Sequence, residues 1–168
     1  MTYLIAYGVC VLVMGALDAF WLTTASQGMY QKDLGALLAE NPNMVVAVIF
    51  YLIYIAGIQF FAVRPALASG DWKTAALYGA LFGFFCYATY DLTNMATMKV
   101  WTLRVTLYDI AWGTFLTGIT ASAGALAAIK FAPVNIIVEV LPLKPISLAK
   151  YTEALGKGLA TIARNSSP

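Results

Sequence analysis

Histidine is absent from the 168 residues. That removes the commonest general base and the commonest transition-metal ligand. Cysteine occurs twice, as Cys10 and Cys86, each midway along an apolar run where a thiol behaves as a small hydrophobe. Neither a disulfide framework nor a cysteine metal site is supported. Charge is scarce as well: 11% of residues are Asp, Glu, Lys or Arg, against about a quarter in soluble domains. The net charge of +2, carried by scattered basic residues, provides no electrostatic footprint for nucleic acid. No constellation of catalytic side chains stands out, so no catalytic residue, cofactor or metal is assigned. What the chain has in quantity is apolar surface, 61% of its residues, and a water-soluble fold has nowhere to put it.

Four apolar stretches, roughly 3–24, 44–63, 74–96 and 105–129, each approach the ~20 residues that cross a bilayer core. The first lacks a basic leader and exceeds the length of a signal-peptide core, so it reads as a retained span. Between the first two spans, Gln31–Glu40 is expected to form a short interfacial helix, stopped by Asn41 and Pro42. Arg64, Pro65, Gly70, Asp71 and Lys73 mark the second connection, and Lys99–Arg104 the third. The expectation is an all-α membrane protein with a four-transmembrane-helix bundle over residues 1–130. A C-terminal extension, 131–168, follows. There Pro133, Pro142 and Pro145 punctuate the chain, and Leu148, Leu155, Leu159 and Ile162 recur at helical spacing behind the cap Ser147. That pattern predicts an amphipathic helix on a membrane surface or a protein partner.

Basic residues set the orientation. With the amino terminus inside, Arg64, Lys73, Lys130, Lys144, Lys150, Lys157 and Arg164 lie inside, and Lys32, Lys99 and Arg104 outside. Both termini are therefore expected on the cytoplasmic or matrix side of a bacterial or organellar inner membrane.

Three of the spans carry an aspartate: Asp18, Asp91 and Asp109. A carboxylate at the centre of a spanning helix costs about 2.5–3.5 kcal/mol on insertion scales, so each is expected to face a partner, a cavity or a ligand. At 1.5 Å per residue all three fall in one layer, roughly 22–24 Å above the inner boundary. The i+4 row through Asp91 holds Ala75, Gly79, Gly83 and Tyr87, and the row through Asp109 holds Gly113, Thr117, Ala121 and Ala125. Such small residues let helices approach closely, and Gly8 and Gly15 are expected near the Asp18 face. Asp18 and Asp109 each precede a tryptophan by one turn, Trp21 and Trp112, which offers each acid an indole N–H. Three readings of this polar cluster follow. Tyr87, Tyr90, Thr93, Asn94 and Trp112 satisfy the acids in a structural knot, with Lys99 or Arg104 reaching in. Alternatively the acids hold a cation, an amine or a lipid head group, or they form a carboxylate metal site. Tyr3, Trp21, Trp72 and Trp101 read as interface anchors, and Tyr51, Tyr54 and Gln59 as packing and hydrogen-bonding groups.

The segments LDAFWL (17–22), YLIYIAGIQFFAVRPAL (51–67), YGALFGFFCYATYDLTN (78–94) and VTLYDIAWGTFLTG (105–118) resemble the small membrane proteins grouped as domain of unknown function 2177. The resemblance covers residues 3–130 and implies a four-span domain of open activity. It puts Asp18, Asp91, Asn94, Asp109 and Trp112 where the family's distinctive polar residues fall. Compact members lack the tail. The leading functional expectation is a non-enzymatic accessory subunit, in contact with membrane lipids and joined to a larger membrane complex through its tail. The alternative is a free-standing binder or transporter of a lipid or small cationic amphiphile.

Overall fold

The computed structural model describes residues 1–25 and 27–131. Among these the regular structure is entirely helical: α1 (Thr2–Phe20), α2 (Gln27–Leu34), α3 (Met44–Ile58), α4 (Arg64–Ser69), α5 (Trp72–Thr97) and α6 (Leu103–Phe131). Two π-helical turns continue these helices, Trp21–Ala25 after α1 and Gln59–Val63 between α3 and α4. Three helical runs are long and apolar enough to cross a membrane: Thr2–Thr24, Met44–Ser69 and Leu103–Phe131. The fourth expected span corresponds to α5, whose 26 residues measure ~39 Å. Its glycines, threonines, Asn94 and Asp91 dilute its apolar character, and it is not among those three. The expected C-terminal helix lies outside the described residues.

Two expected boundaries move. The second run does not stop at residue 63 but continues to Ser69. Pro65 falls in the first turn of α4, just after the π-turn, where a missing amide hydrogen costs little. The helix ends instead at Gly70, whose φ of 68° is a left-handed conformation that glycine adopts without strain. The short helix between the first two runs begins earlier than expected, at Gln27, and tightens into a 3₁₀ turn at Gly35–Leu37. Gly35, a poor helix former, arrests it well before Asn41 and Pro42. Side-chain caps start the later helices. Asn43 accepts from the Val46 amide at 3.1 Å and Asp71 from the Lys73 amide at 2.9 Å.

The centre of the bundle is α6, packed on α5 along one side and α1 along another. Helices α5 and α6 run antiparallel, with their backbones close where small residues meet. A Cβ on Gly79 would lie 2.6 Å from Ala121 Cβ, and one on Gly83 would lie 2.3 Å from the Gly113 carbonyl oxygen. Gly113 in turn leaves room for the Tyr87 ring, 2.2 Å from where its Cβ would stand. On α1 the buried row is Thr2, Ala6, Cys10, Met14 and Asp18, at steps of four. The expectation for Gly8 and Gly15 is therefore corrected: both face open space, because they lie off that row. The glycine at the α1–α6 contact is Gly124, against Cys10 and the Ala6 carbonyl. Outward, Val45, Val48, Ile49, Leu52, Ile53, Phe60 and Phe61 leave α3 and its π-turn sheathed in exposed apolar side chains. An apolar exterior around a core holding carboxylates suits a lipid solvent.

Candidate functional site

The buried row of α1 ends at Asp18, which the bundle partners with neutral donors. Trp112 Nε1 of α6 donates to Asp18 Oδ1 at 3.1 Å, and the Tyr51 hydroxyl of α3 donates to Oδ2. The Trp112 ring stacks on Trp21, with centroids 4.5 Å apart and planes 7° from parallel. Trp21 Nε1 donates to the Tyr30 hydroxyl at 3.1 Å, and Tyr30 donates to Asp109 Oδ1. Each acid was expected to use the tryptophan one turn along its own helix. The structure crosses them: the α6 indole serves the α1 acid, and the α1 indole reaches the α6 acid through Tyr30. Stacking brings the two indoles face to face, the Trp112 N–H reaching Asp18 of α1 and the Trp21 N–H reaching Tyr30 of α2. Trp21 is thereby part of the polar network rather than a simple interface anchor.

Asp91 differs from both. It is 0% exposed, and neither carboxylate oxygen has a hydrogen-bond partner among the described residues. The α5–α6 register says what it faces. Gly79 meets Ala121, Gly83 meets Thr117 and Tyr87 meets Gly113, so one further turn sets Asp91 against Asp109. Beyond it, the Thr106 hydroxyl touches Met95 Sδ at 3.7 Å, which continues the same register. Two carboxyl groups thus occupy facing positions in a low-dielectric interior.

Among the described residues neither Lys99 nor Arg104 bonds to an acid of the layer. Arg104 pairs with Asp33 of α2 instead, Nε to Oδ2 at 2.8 Å and Nη2 to Oδ1 at 2.5 Å. Thr102 adds a bond to Asp33 Oδ2 at 3.0 Å. The Arg104 guanidinium, ahead of Thr102, holds the Asp33 carboxyl below the usual carboxylate range. These bonds and the Tyr30–Asp109 bond tie α2 across the end of the bundle. Burial, and then donation to Asp109, push the Tyr30 phenol above its ordinary range.

Tyr90 and Asn94 are not drawn into the network. Tyr90 is 60% exposed, its ring edge-on to Trp101 with centroids 5.7 Å apart, and the Asn94 carbonyl accepts from the Met98 amide at the end of α5. Tyr90 instead helps line a recess of about 290 Å³ with Phe50, Tyr54, Cys86 and Tyr87. The Tyr54 hydroxyl meets Thr117 Oγ1 at 2.9 Å, which anchors one wall. Among the described residues no three acids or cysteines come together as a metal-ion ligand set.

A second polar patch lies lower in the bundle. Gln59 Nε2 donates to Cys10 Sγ at 3.4 Å, and the Cys10 thiol donates to the Thr120 carbonyl at 3.5 Å. Gln59 opens the π-turn between α3 and α4, a local irregularity that turns a polar side chain inward.

Sequence reasoning missed Tyr30 and did not single out Tyr51 as the Asp18 partner. Tyr51 lies in an apolar span with only its hydroxyl to mark it. Tyr30 sits outside any span, where no periodicity relates it to Asp109. The Asp33–Arg104 pair likewise joins α2 to the start of α6, far apart in the chain.

Comparison with curated proteins and with solved structures finds no match to this chain. Comparison with families matches residues 3–126 to DUF2177, described as a predicted membrane protein. With apolar helices long enough to span a bilayer and a family match over most of its length, this chain belongs to the DUF2177 family of membrane proteins.

Proposed function

We propose that this is a four-span integral membrane protein that acts by binding, with an intramembrane acidic site for a cationic ligand, either a small cation or the head group of an amphiphile. The observation that carries the reading is Asp91, fully buried, facing Asp109, with neither oxygen partnered among the described residues. An uncompensated buried carboxylate costs several kcal/mol, and a cation bound beside it offsets that cost. The available Arg104 is committed to Asp33. Support for α5 as the fourth span comes from its length and its glycine-to-backbone contact with α6, a membrane-spanning candidate. Four spans put both termini on one side, the cytoplasmic or matrix side by the distribution of basic residues.

The test pairs thermal unfolding with native mass spectrometry on the wild type, Asp91→Asn and Asp109→Asn. The amide keeps size and polarity while removing charge. Both variants should remain folded, with a melting temperature equal to or above the wild type, and both should lose the cationic species that the wild type retains. Full retention by the double variant would refute the acidic site.

A second reading rests on a separate observation: the family match stops at residue 126, and the tail beyond carries the amphipathic pattern at Leu148–Ile162. In this reading the tail attaches the bundle to a larger membrane complex as an accessory subunit. Deleting residues 146–168 should leave the bundle inserted and release it from that complex. Unchanged co-migration of the truncated chain would contradict it.

A further inference from the structure

The acidic site explains a charge preference but says nothing about the rest of the ligand. The recess lined by Phe50 and Tyr54 of α3 and by Cys86, Tyr87 and Tyr90 of α5 supplies that information. Its walls are almost wholly aromatic. Phe50 and Tyr54 lie 5.8 Å apart by ring centroids, and Tyr54 meets Tyr87 edge-on at 6.5 Å. Phe50 and Tyr90, at 46% and 60% exposure, stand at its outer rim on the apolar surface of the bundle. An opening rimmed by apolar side chains suits entry from the hydrocarbon of a membrane.

The position of the recess links it to the acids. Tyr87, on its wall, is also the residue one turn before Asp91 on the same helical row, an axial distance of about 6 Å. Tyr90 is the immediate neighbour of Asp91. On the α3 side, Tyr51 lies between the lining residues Phe50 and Tyr54 and donates to Asp18. Recess and acid layer thus share one depth, and the negative charge acts on the recess through a medium that screens it little. Aromatic faces add attraction for a diffuse organic cation, as in cages that recognise quaternary ammonium. None of the five lining residues is basic, so a phosphate-bearing head group would find no counter-charge there.

We infer that the recess is the ligand-body site for a lipophilic organic ammonium, free of phosphate, which enters sideways from the bilayer and places its cationic nitrogen against Tyr87 and Tyr90 within reach of the Asp91–Asp109 field. The inference rests on the acidic-site reading and goes beyond it by selecting an organic cation over an inorganic one.

Tetrapropylammonium is a suitable probe, its binding to the purified full-length protein measured by calorimetry in detergent, with sodium as the comparison. The informative variants are Phe50→Leu and Tyr90→Leu. Both sites are substantially exposed, and leucine keeps an apolar side chain while removing the aromatic face. Each should weaken tetrapropylammonium binding roughly 3- to 30-fold, and Asp91→Asn should abolish it. Binding lost in Asp91→Asn but unchanged in both leucine variants would overturn the recess and leave the acidic site standing. No tetrapropylammonium binding, with sodium binding that Asp91→Asn removes, would do the same. Binding indifferent to Asp91→Asn, or no binding of either cation, would overturn both.

Discussion

At Gly83 the α5 helix meets the main chain of α6, and alanine there is the smallest perturbation that tests the contact. The added methyl would stand 2.3 Å from the Gly113 carbonyl oxygen, 2.6 Å from Thr117 Oγ1 and 2.7 Å from Thr117 Cβ. Ordinary contact begins near 3.4 Å, so the helices must part locally by about 1 Å. The nearest obstacle is main chain, which cannot swing aside as the end of a side chain can. Overpacking of this kind costs about 1–3 kcal/mol. Alanine's better helix propensity returns at most ~1 kcal/mol. The net loss of ~1–2 kcal/mol should lower the melting temperature by several degrees, at ~2–4 °C per kcal/mol for a chain of this size. Gly15→Ala is the matched control, because its methyl meets nothing within 4 Å and gains only the propensity term. Thermal unfolding of both variants in one detergent measures the difference. Equal melting temperatures for Gly83→Ala, Gly15→Ala and the wild type would refute the assignment of the packed face.

Three further outcomes follow, two of them at the end of the bundle that α2 covers. Tyr30→Phe removes the hydroxyl that links Trp21 to Asp109, a hydrogen bond to an acid worth ~1.5–3 kcal/mol, so hydrogen exchange in α2 should accelerate while α5 and α6 stay protected; unchanged exchange in α2 would contradict the link. The Asp33 carboxyl is held below its ordinary range by Arg104, so its contribution is present above the unfolded value of ~3.9 and disappears as pH falls through the lower folded value. Acidification through that window should loosen α2 in the wild type, and Asp33→Asn should be loosened already at neutral pH; a pH response identical in the two would contradict this pairing. Single cysteines at Ser69 and Ser166 should react with an impermeant reagent from the same side of the membrane, and opposite labelling would contradict four spans.

Much of the architecture was legible because a bilayer imposes a simple rule: a run long and apolar enough to cross must be helical. The α5–α6 seam was legible too, since Gly79, Gly83, Gly113 and Ala121 repeat at helical spacing. Periodicity assigns a face but not its partner, so the sequence pattern pairs each tryptophan with the acid of its own helix. Their crossing depends on the stacking of Trp21 on Trp112, a contact between helices distant in sequence. Gly8 and Gly15 are small but lie off the row of α1 that packs, and small size alone does not place a residue on that row. Pro65 misled for a related reason: proline ends a regular helix, but a π-turn just before it lets the helix continue. Tyr30 carried no signal, since a single tyrosine in a polar connection has no pattern to read.

The central proposal is that the buried carboxylate of Asp91, unpartnered among the described residues, is completed by a bound cation. The most direct measurement is thermal unfolding of the wild type and Asp91→Asn, titrated at matched ionic strength with sodium, potassium and tetrapropylammonium chlorides. A cation that binds the folded state raises stability by RT ln(1 + [L]/Kd), about 2.7 kcal/mol at a hundredfold excess over Kd. The expected result is a concentration-dependent rise in the wild-type melting temperature with at least one of the three cations, absent in Asp91→Asn. Superimposable titrations of the two proteins with all three would contradict it.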